Sequence, residues 1–167
     1  MINTNETRFS QDPSGKKLIV IREFNAPVEK VWRAWTESSL LDQWWAPKPW
    51  KAETKSMAFK EGGRWLYYML GPAGDRHWCK VEFQTIDPHK SFTVINSFCD
   101  ENGNTNGDLP VMHWSNNFAS NGAGTTITVE ISFDSTADLQ KIVEMGFKEG
   151  FKMGLGNLDE MIAMGQL

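Results

Sequence analysis

The chain has 167 residues, a formal net charge of −4 at pH 7 and an aromatic content of 12%. A chain of this length is most simply one domain, which buries roughly 70% of the surface that the unfolded chain exposes. The acidic balance argues against a nucleic-acid partner, and no apolar run approaches the ~20 residues that a membrane-spanning helix needs. The N-terminus lacks the apolar stretch of a secretory signal, and two cysteines are too few for a disulfide framework. We therefore expect a cytoplasmic protein with no membrane or nucleic-acid partner.

The N-terminal segment predicts an arm followed by a strand. Residues 1–15 are polar and end in Pro-Ser-Gly, so we assign them to a flexible arm. Residues 16–167 then form a single domain. The stretch KLIVIREFNA near its start places apolar side chains on both faces of a strand, so we expect both faces to be at least partly covered.

Two short helices are predicted after this strand. Pro27 suits the first position of a helix whose apolar residues recur every three or four positions. Ser38 or Ser39 can cap a second helix, and the prolines of the segment APKPW end it. Five of the eight tryptophans of the chain fall in these two helices and the segment that follows them.

Residues 51–133 predict strands joined by tight turns. Turns rich in glycine, proline and asparagine separate five apolar runs, so the chain has about six strands when the first strand is included. Short turns of this kind favour antiparallel neighbours. The turn DPHK joins HWCKVEFQTI and SFTVINSF as a hairpin.

The register of this hairpin decides whether the two cysteines meet. Pairing residues whose numbers sum to 178 would set Cys79 against Cys99. Pairing to 177 instead sets Cys79 against Phe98 and Phe83 against Val94, which is the better apolar match. A slip of one residue moves every side chain to the other face, so the two registers exclude each other. We favour 177 and reject a disulfide.

The C-terminal segment predicts the longest helix. Ser135 has the spacing of a capping box, with Asp138 in place of the usual Glu or Gln. From Leu139 onward apolar residues recur at the helical period. A helix from there to Met164 would be roughly 40 Å long, enough to cross a small domain.

Three glycines interrupt this helix at intervals of four residues. Gly146, Gly150 and Gly154 lie nearly on one helix face, and each costs about 1 kcal/mol relative to alanine in a helix interior. Either the helix bends or frays at these positions, or the bare face allows a strand, a partner chain or a ligand to come close. We favour the close approach. A homodimer, in which the approaching element belongs to a second copy of the chain, is one possible arrangement of this kind.

Four motifs together resemble a known superfamily. APVEKVWRAWTESSLLDQWWAPK, FKEGGRWLYYMLGPAG, IDPHKSF and GFKEGFKMGLGNLDEM occur in this order between about residue 17 and the end. They resemble the START-like helix-grip superfamily (SRPBCC), and more narrowly its branch named for the activator of the heat-shock-protein-90 ATPase. The Asn/Gly-rich segment at residues 101–108 is longer than in that family, which makes it a candidate to alter the mouth of a pocket.

The resemblance implies an α+β helix-grip fold. In that fold a curved antiparallel sheet, here of about six strands, wraps around a long C-terminal helix, and two short helices close one end. A cavity lies between the sheet and the helix. Trp32 and Trp35 are then expected in the core, whereas Trp44, Trp45 and Trp50 are expected to line one end of the cavity.

Strand alternation and the resemblance together nominate further cavity residues. Side chains two apart on a strand share a face, and the strands beginning near Arg64 and Arg76 each have one aromatic or apolar face. The C-terminal helix adds two phenylalanines and two of the glycines. The candidate ligand-binding residues are Trp44, Trp45, Trp50, Trp65, Tyr67, Met69, His77, Cys79, Val81, Phe83, Phe147, Gly150, Phe151 and Gly154.

The sequence carries no recognised catalytic motif. It has no GxSxG elbow, P-loop, GxGxxG or HExxH. His77 and Cys79 share a strand face and, with His113, would make a three-ligand metal site or a Cys-His pair. A strand histidine beside a buried cysteine is more often structural, so we predict no metal and no cofactor. Tyr67, His77, His113 and Arg64 are the plausible acid, base or anion-holding groups.

Three classes of function remain. The first is a binding protein for a hydrophobic or aromatic small molecule, with the helix-grip cavity as its site. The second is an enzyme of the cyclase, dehydratase or hydrolase kind that uses the same cavity, since relatives in the superfamily do so. The third is a chaperone-associated protein, as the name of the branch suggests. We rank binding first, catalysis second and the chaperone role third, and the fold alone does not choose among them.

Overall fold

A computed structural model describes residues 6–167 of the chain. In this part of the chain there are four helices, α1 Val28–Thr36, α2 Ser38–Trp44, α3 Thr136–Glu144 and α4 Phe147–Ala163. There are eight strands, β1 Arg8–Gln11, β2 Lys17–Phe24, β3 Lys51–Met57, β4 Arg64–Leu70, β5 Arg76–Asp87, β6 Ser91–Phe98, β7 Met112–Asn121 and β8 Gly124–Ser132. No helix in the described residues is long and apolar enough to span a membrane.

The strands form one antiparallel sheet in the order β1-β2-β8-β7-β6-β5-β4-β3. The helix-grip fold predicted from the sequence is confirmed, but the sheet has eight strands rather than about six. The two unpredicted strands, β1 and β3, are the two edges of the sheet. An edge strand has one neighbour and is largely exposed, so it lacks the apolar alternation by which the other six strands were found.

Strand β1 lies within the segment that the sequence assigned to a flexible arm. Arg8–Gln11 pair with β2, with Phe9 opposite Val20. The expectation of an arm without a strand is therefore wrong for these residues. Residues 1–5 of the predicted arm lie outside the described residues.

One face of the sheet, which we call the inner face, is covered by the helices. On β2 and β8 alternate side chains are buried, as the pattern of a strand with one covered face requires. The buried residues of both strands join those of α1, α2 and α4 in a single core cluster. Trp32 and Trp35 of α1 are 6% and 4% exposed, which confirms their predicted place in the core.

The β5–β6 hairpin contains both registers considered from the sequence. In the half of the hairpin that lies away from the turn, Cys79 pairs with Phe98 and Phe83 pairs with Val94, as predicted. A bulge between Phe83 and Thr85 then shifts the register, so that Thr85 faces Thr93. Because the bulge lies nearer the turn, it does not bring Cys79 opposite Cys99, and both thiols are free.

The single C-terminal helix predicted from the sequence is two helices. Gly146 has a φ of 90°, a left-handed conformation that side chains rarely adopt, and it separates α3 from α4. The bend, which was the alternative that we did not favour from the sequence, is thus what occurs at Gly146. At the other two glycines α4 continues without a break.

Polar contacts fix the C-terminal half of α4 against the rest of the fold. The amide of Asn157 donates to the backbone oxygens of Trp44 and Ala46 at 3.3 and 3.1 Å. Asp159 forms a two-pronged ion pair with Arg22, whose side chain is buried among the apolar residues of the inner face. Directional contacts of this kind set the position of the helix above the sheet as well as its orientation.

Candidate functional site

Rows of cross-strand neighbours cross the inner face of the sheet. Their members follow from the register and are, from one end of the sheet toward the other, Met69–His77, then Tyr67–Cys79–Phe98, then Trp65–Val81–Asn96–Met112, then Phe83–Val94–Trp114–Ile131–Leu18 and Phe92–Asn116–Val129–Val20. The faces predicted for β4 and β5 are therefore correct. What differs between the rows is what covers them.

A cavity of about 270 Å³ lies over the first rows. Trp45 from the end of α2, Pro47, and Phe147, Gly150 and Phe151 of α4 form its other walls. Aromatic rings brace these walls, with the ring of Phe151 5.4 Å from that of Trp114 and 6.0 Å from that of Trp45 in edge-to-face geometry. Rigid aromatic walls around a space of this size are typical of a small-molecule site.

Eight of the fourteen predicted residues come together around this cavity. They are Trp45, Tyr67, Met69, His77, Cys79, Phe147, Gly150 and Phe151. The other six do not line it, for reasons that separate into two groups.

Trp44, Trp65, Val81 and Phe83 are core rather than cavity wall. The indole of Trp44 is 1% exposed and donates to the backbone oxygen of Ala34 at 2.9 Å. The other three line a separate void of about 20 Å³, roughly the space of one water molecule. Strand alternation correctly places these three side chains on the inner face. In this part of the inner face, however, core side chains fill the space between the sheet and the helices.

Trp50 and Gly154 lie beside the cavity without lining it. The ring of Trp50 packs 4.9 Å from the ring of His77 and against Gly71, where a Cβ atom would come within 2.7 Å of it. A Cβ atom on Gly154 would lie 3.0 Å from the backbone oxygen of Trp45. Gly154 therefore serves the close packing of α4 on the end of α2, a close approach by a helix and not by the strand, partner chain or ligand that was expected.

Several cavity residues were missed by the sequence analysis. They are Pro47, Lys80, Asn96, Ser97, Phe98, Met112, Trp114, Ile142, Met145 and Gly146. The predicted hairpin register already set Phe98 beside Cys79, so the same alternation would have found Phe98 and Asn96. The residues from α3 and the α3–α4 junction had no such signal, because a single straight helix was expected there.

A buried polar cluster forms one wall of the cavity. The indole N–H of Trp45 donates to the hydroxyl of Tyr67 at 2.8 Å, and the thiol of Cys79 lies opposite Tyr67 on the next strand. Burial raises the pKa of the Tyr67 hydroxyl well above its usual value, and burial likewise raises the pKa of the Cys79 thiol to about 12. Both groups are therefore protonated and uncharged at neutral pH.

Two further polar side chains, Asn96 and Trp114, lie between the cavity and the small void, and each has a buried atom without a partner in the described residues. The side-chain oxygen of Asn96 and the indole nitrogen of Trp114 are buried and have no hydrogen-bond partner among residues 6–167. Asn96 is 8% exposed and Trp114 is 4% exposed. Buried polar atoms are nearly always paired, so each of these two calls for an explanation.

The groups proposed for chemistry are not all on the cavity. Tyr67 and His77 line it, whereas His113 is exposed and lies between the inward residues Met112 and Trp114 of β7, on the opposite face. Arg64 is exposed and lies beside Gly103 of the Asn/Gly-rich segment. Within the described part of the chain, no three histidine, cysteine or acidic side chains are grouped to hold a metal ion.

The Asn/Gly-rich segment at residues 101–108 follows β6 and folds back beside its end, where Thr105 forms a bridge with Cys99 and the backbone N–H of Asn106 donates to the backbone oxygen of Phe98 at 2.8 Å. Lys55 donates to the backbone oxygen of Glu101 at 2.9 Å, and Gly103 packs on Arg64. At its far end Lys141 of α3 donates to the backbone oxygen of Asp108 at 3.2 Å. None of its residues lines the cavity, although the segment is hydrogen-bonded to Phe98, which does.

Known proteins share this fold closely. Protein Ms6760 from Mycobacterium smegmatis is 30% identical, with 93% of this chain and 95% of that chain covered and a TM-score of 0.86. A protein from Arthrobacter aurescens is 29% identical, with 94% and 91% covered and a TM-score of 0.88. Protein NE0264 from Nitrosomonas europaea is 25% identical, with 93% and 99% covered and a TM-score of 0.80. No curated protein matches the sequence.

The match to a protein-family model agrees with the sequence motifs and with the fold. The model described as "Activator of Hsp90 ATPase homolog 1-like protein" matches residues 25–163, which include every element from α1 to α4. The chain therefore belongs to the family of Activator of Hsp90 ATPase homolog 1-like proteins.

Proposed function

We propose that the protein binds a small hydrophobic or aromatic molecule in the cavity between the sheet and α4. The observation that carries this proposal is the 270 Å³ cavity with its aromatic walls. Apolar surface removed from water contributes roughly 25 cal/mol per Å², and flat rings add favourable edge-to-face contacts with the indoles and phenyl rings around them. Such a space favours a flat apolar body over a peptide or a sugar.

The volume of the cavity bounds the size of the ligand. Small-molecule sites span about 300–1,000 Å³, so 270 Å³ lies just below that range. One or two fused rings fit this space, whereas a sterol would require the walls to move.

Native mass spectrometry of the freshly purified protein tests the proposal, followed by a thermal-shift screen of fatty acids, sterols and one- and two-ring aromatics. A ligand at a hundred times its dissociation constant stabilises the folded state by about 2.7 kcal/mol, which is readily visible as a shift in Tm. We expect the two-ring aromatics to give the largest shifts. No bound mass and no shift across the panel would overturn the proposal.

A substitution at Gly150 tests the location of the site. A Cβ atom there would lie 3.6 Å from Cγ of Pro47, an ordinary contact, and the longer side chain of Gly150→Leu would extend into the cavity. We expect this variant to fold and to lose the thermal shift. The matched control is Gly156→Leu on the same helix, where a Cβ atom meets nothing within 4 Å. The control should fold and keep the shift.

One observation supports acid–base catalysis as a second candidate. Tyr67 and His77 both line the cavity. Burial raises the pKa of the Tyr67 hydroxyl, so the hydroxyl stays protonated and can hold a substrate oxygen by donating a hydrogen bond, and a histidine side chain is the commonest proton acceptor in catalysis. A change in the mass of a bound ligand during incubation, abolished in both Tyr67→Phe and His77→Gln, would establish this function. A ligand recovered unchanged from the wild type would leave binding alone.

A further inference from the structure

The cavity has an apolar wall on the side of the helices and polar groups on the side of the sheet. Phe147 and Phe151 of α4 contribute only aromatic rings to it. Tyr67 of β4 and His77 and Cys79 of β5 contribute a hydroxyl, an imidazole and a thiol. A ligand in this space therefore has its polar partners along β4 and β5.

The imidazole of His77 differs from the other two groups because it has no polar partner in the fold. The hydroxyl of Tyr67 accepts from the indole N–H of Trp45 at 2.8 Å, and the Cys79 thiol is its neighbour across the two strands. The imidazole of His77 has neither a hydrogen bond nor an ion pair with any of residues 6–167. Both of its ring nitrogens are therefore free to pair with a ligand.

His77 is held at the rim of the cavity. It is exposed, as is Met145, which lines the cavity from the end of α3 and is 50% exposed. The ring of Trp50 packs 4.9 Å from the imidazole and lies in turn against Gly71, where a Cβ atom would come within 2.7 Å of it. This ring contact restricts the orientation of the imidazole without using its nitrogens.

The charges of the lining favour an anionic ligand group. No aspartate or glutamate of the described chain lines the cavity, whereas His77 and Lys80, which can both carry a positive charge, do. The ammonium of Lys80 lies 3.9 Å from a carboxylate oxygen of Glu82, so its charge already has a counter-ion. An imidazolium without a counter-ion pairs more strongly with a carboxylate than with a neutral group. At an exposed rim the carboxylate also keeps part of its hydration, which lowers the cost of binding it.

We infer that the ligand carries a carboxylate on its aromatic body and that His77 recognises this group at the rim of the cavity. The inference rests on the proposed function, since it specifies the ligand of the same cavity. The aromatic body packs against the rings of Trp45 and Phe151, and the carboxylate accepts a hydrogen bond from the imidazolium. His77 is thus a specificity-determining residue, because it distinguishes an aromatic acid from a neutral molecule of the same shape.

Three two-ring probes separate the charge of the ligand from its shape. They are 2-naphthoate, which is an anion, 2-naphthamide, which has the same shape and no charge, and 2-methylnaphthalene, which has no polar group. Dissociation constants are measured by isothermal titration calorimetry on the full chain at about pH 6, on the acid side of neutrality, where imidazole gains its proton. We expect 2-naphthoate to bind about tenfold more tightly than 2-naphthamide, the effect of one charge-assisted hydrogen bond at a partly exposed site.

Two variants at His77 and one matched control test the residue. His77→Gln keeps a hydrogen-bonding side chain without the charge and should reduce the preference for 2-naphthoate to about onefold, whereas His77→Lys keeps a positive charge and should retain most of it. The control is His113→Gln, which changes an exposed histidine on the opposite face of the sheet and should leave the tenfold preference unchanged. Because His77 and His113 are both exposed, we expect all three variants to fold, and thermal denaturation checks this.

The outcomes distinguish this inference from the proposed function. Equal binding of 2-naphthoate and 2-naphthamide, or a preference that survives His77→Gln, overturns the role of His77 and leaves apolar binding intact. A preference that is lost equally in His77→Gln and His77→Lys overturns the charge as its basis. Binding of none of the three probes overturns the proposed function, and this inference with it.

Discussion

The inner face of the sheet is filled at one end and hollow at the other. At the filled end the ring of Trp32 contacts the rings of Phe59, Phe92 and Phe118 at centroid distances of 5.1 to 5.9 Å. At the hollow end the rings of Trp45, Trp114 and Phe151 contact each other at similar distances but surround the cavity. The two ends use the same types of residue, so composition does not distinguish them.

The difference arises from the elements that cover each end. Over the filled end α1 directs its large indoles onto the sheet. Over the hollow end α4 begins after the left-handed turn at Gly146 and presents Gly150, which has no side chain to reach the sheet. The close contact of Gly154 with the backbone of α2 limits how far the helix can move to close the gap. Whether an aromatic residue fills the core or lines the cavity therefore depends on which element lies opposite it.

Two phenylalanine substitutions, one at each end of the inner face, should give the largest difference in the free energy of unfolding. Phe92 is 4% exposed and contacts four other aromatic rings at the filled end, so we expect Phe92→Ala to lower the free energy of unfolding by about 3–5 kcal/mol. Phe147 is partly buried and already borders the cavity, so Phe147→Ala should cost about 1 kcal/mol. Urea titration measures both. Equal losses would mean that the hollow end is packed as tightly as the filled end.

The thiol of Cys79 makes the hollow end sensitive to high pH. Its pKa is raised by burial to about 12 in the folded state and returns to about 9 on unfolding, so above pH 9 the unfolded state binds fewer protons. The folded state is thus destabilised as pH rises, by about 1.4 kcal/mol between pH 8 and pH 10. We expect Cys79→Ala to remove most of this loss in urea titrations at the two pH values. Cys99→Ala, at a more exposed thiol, should remove less, and an unchanged slope in Cys79→Ala would show that the cavity wall is well solvated.

Two alanine substitutions in α4 sharpen the comparison with smaller effects. Gly154→Ala places a methyl group 3.0 Å from the backbone oxygen of Trp45, so overpacking should exceed the gain in helix propensity and cost about 1 kcal/mol net. Gly156→Ala meets nothing within 4 Å and should stabilise by up to about 1 kcal/mol. Thermal denaturation compares the two. If Gly154→Ala also stabilises, then α4 is free to move and the cavity is not held open by this contact.

Local patterns in the sequence predicted a large part of this structure. The spacing of apolar residues predicted α1, α2 and six of the eight strands, and strand alternation placed Tyr67, Met69, His77 and Cys79 on the inner face. The apolar match of Phe83 with Val94 selected the correct register for the open part of the β5–β6 hairpin. These features depend on neighbours within a strand or across one turn, so a short stretch of sequence contains the information.

The edge strands and the α3–α4 break could not be derived in the same way. β3 buries only Ala52 deeply, so it has almost no apolar alternation to detect. The three glycines of the C-terminal segment look alike in the sequence, yet Gly146 ends a helix, Gly150 lines the cavity and Gly154 packs on α2. Their roles differ because their neighbours come from distant parts of the chain.

The hollow end itself was decided by tertiary structure. The sequence alone specified which side chains face inward and which family the chain resembles, because both follow from local periodicity and short motifs. Whether Trp44, Trp65 and Phe83 are core or cavity wall depends on the height of α2 and α4 above the sheet. Long-range contacts set that height, among them Asn157 with the end of α2 and Asp159 with Arg22. A gap between two elements is a property of their separation, which no stretch of either element encodes by itself.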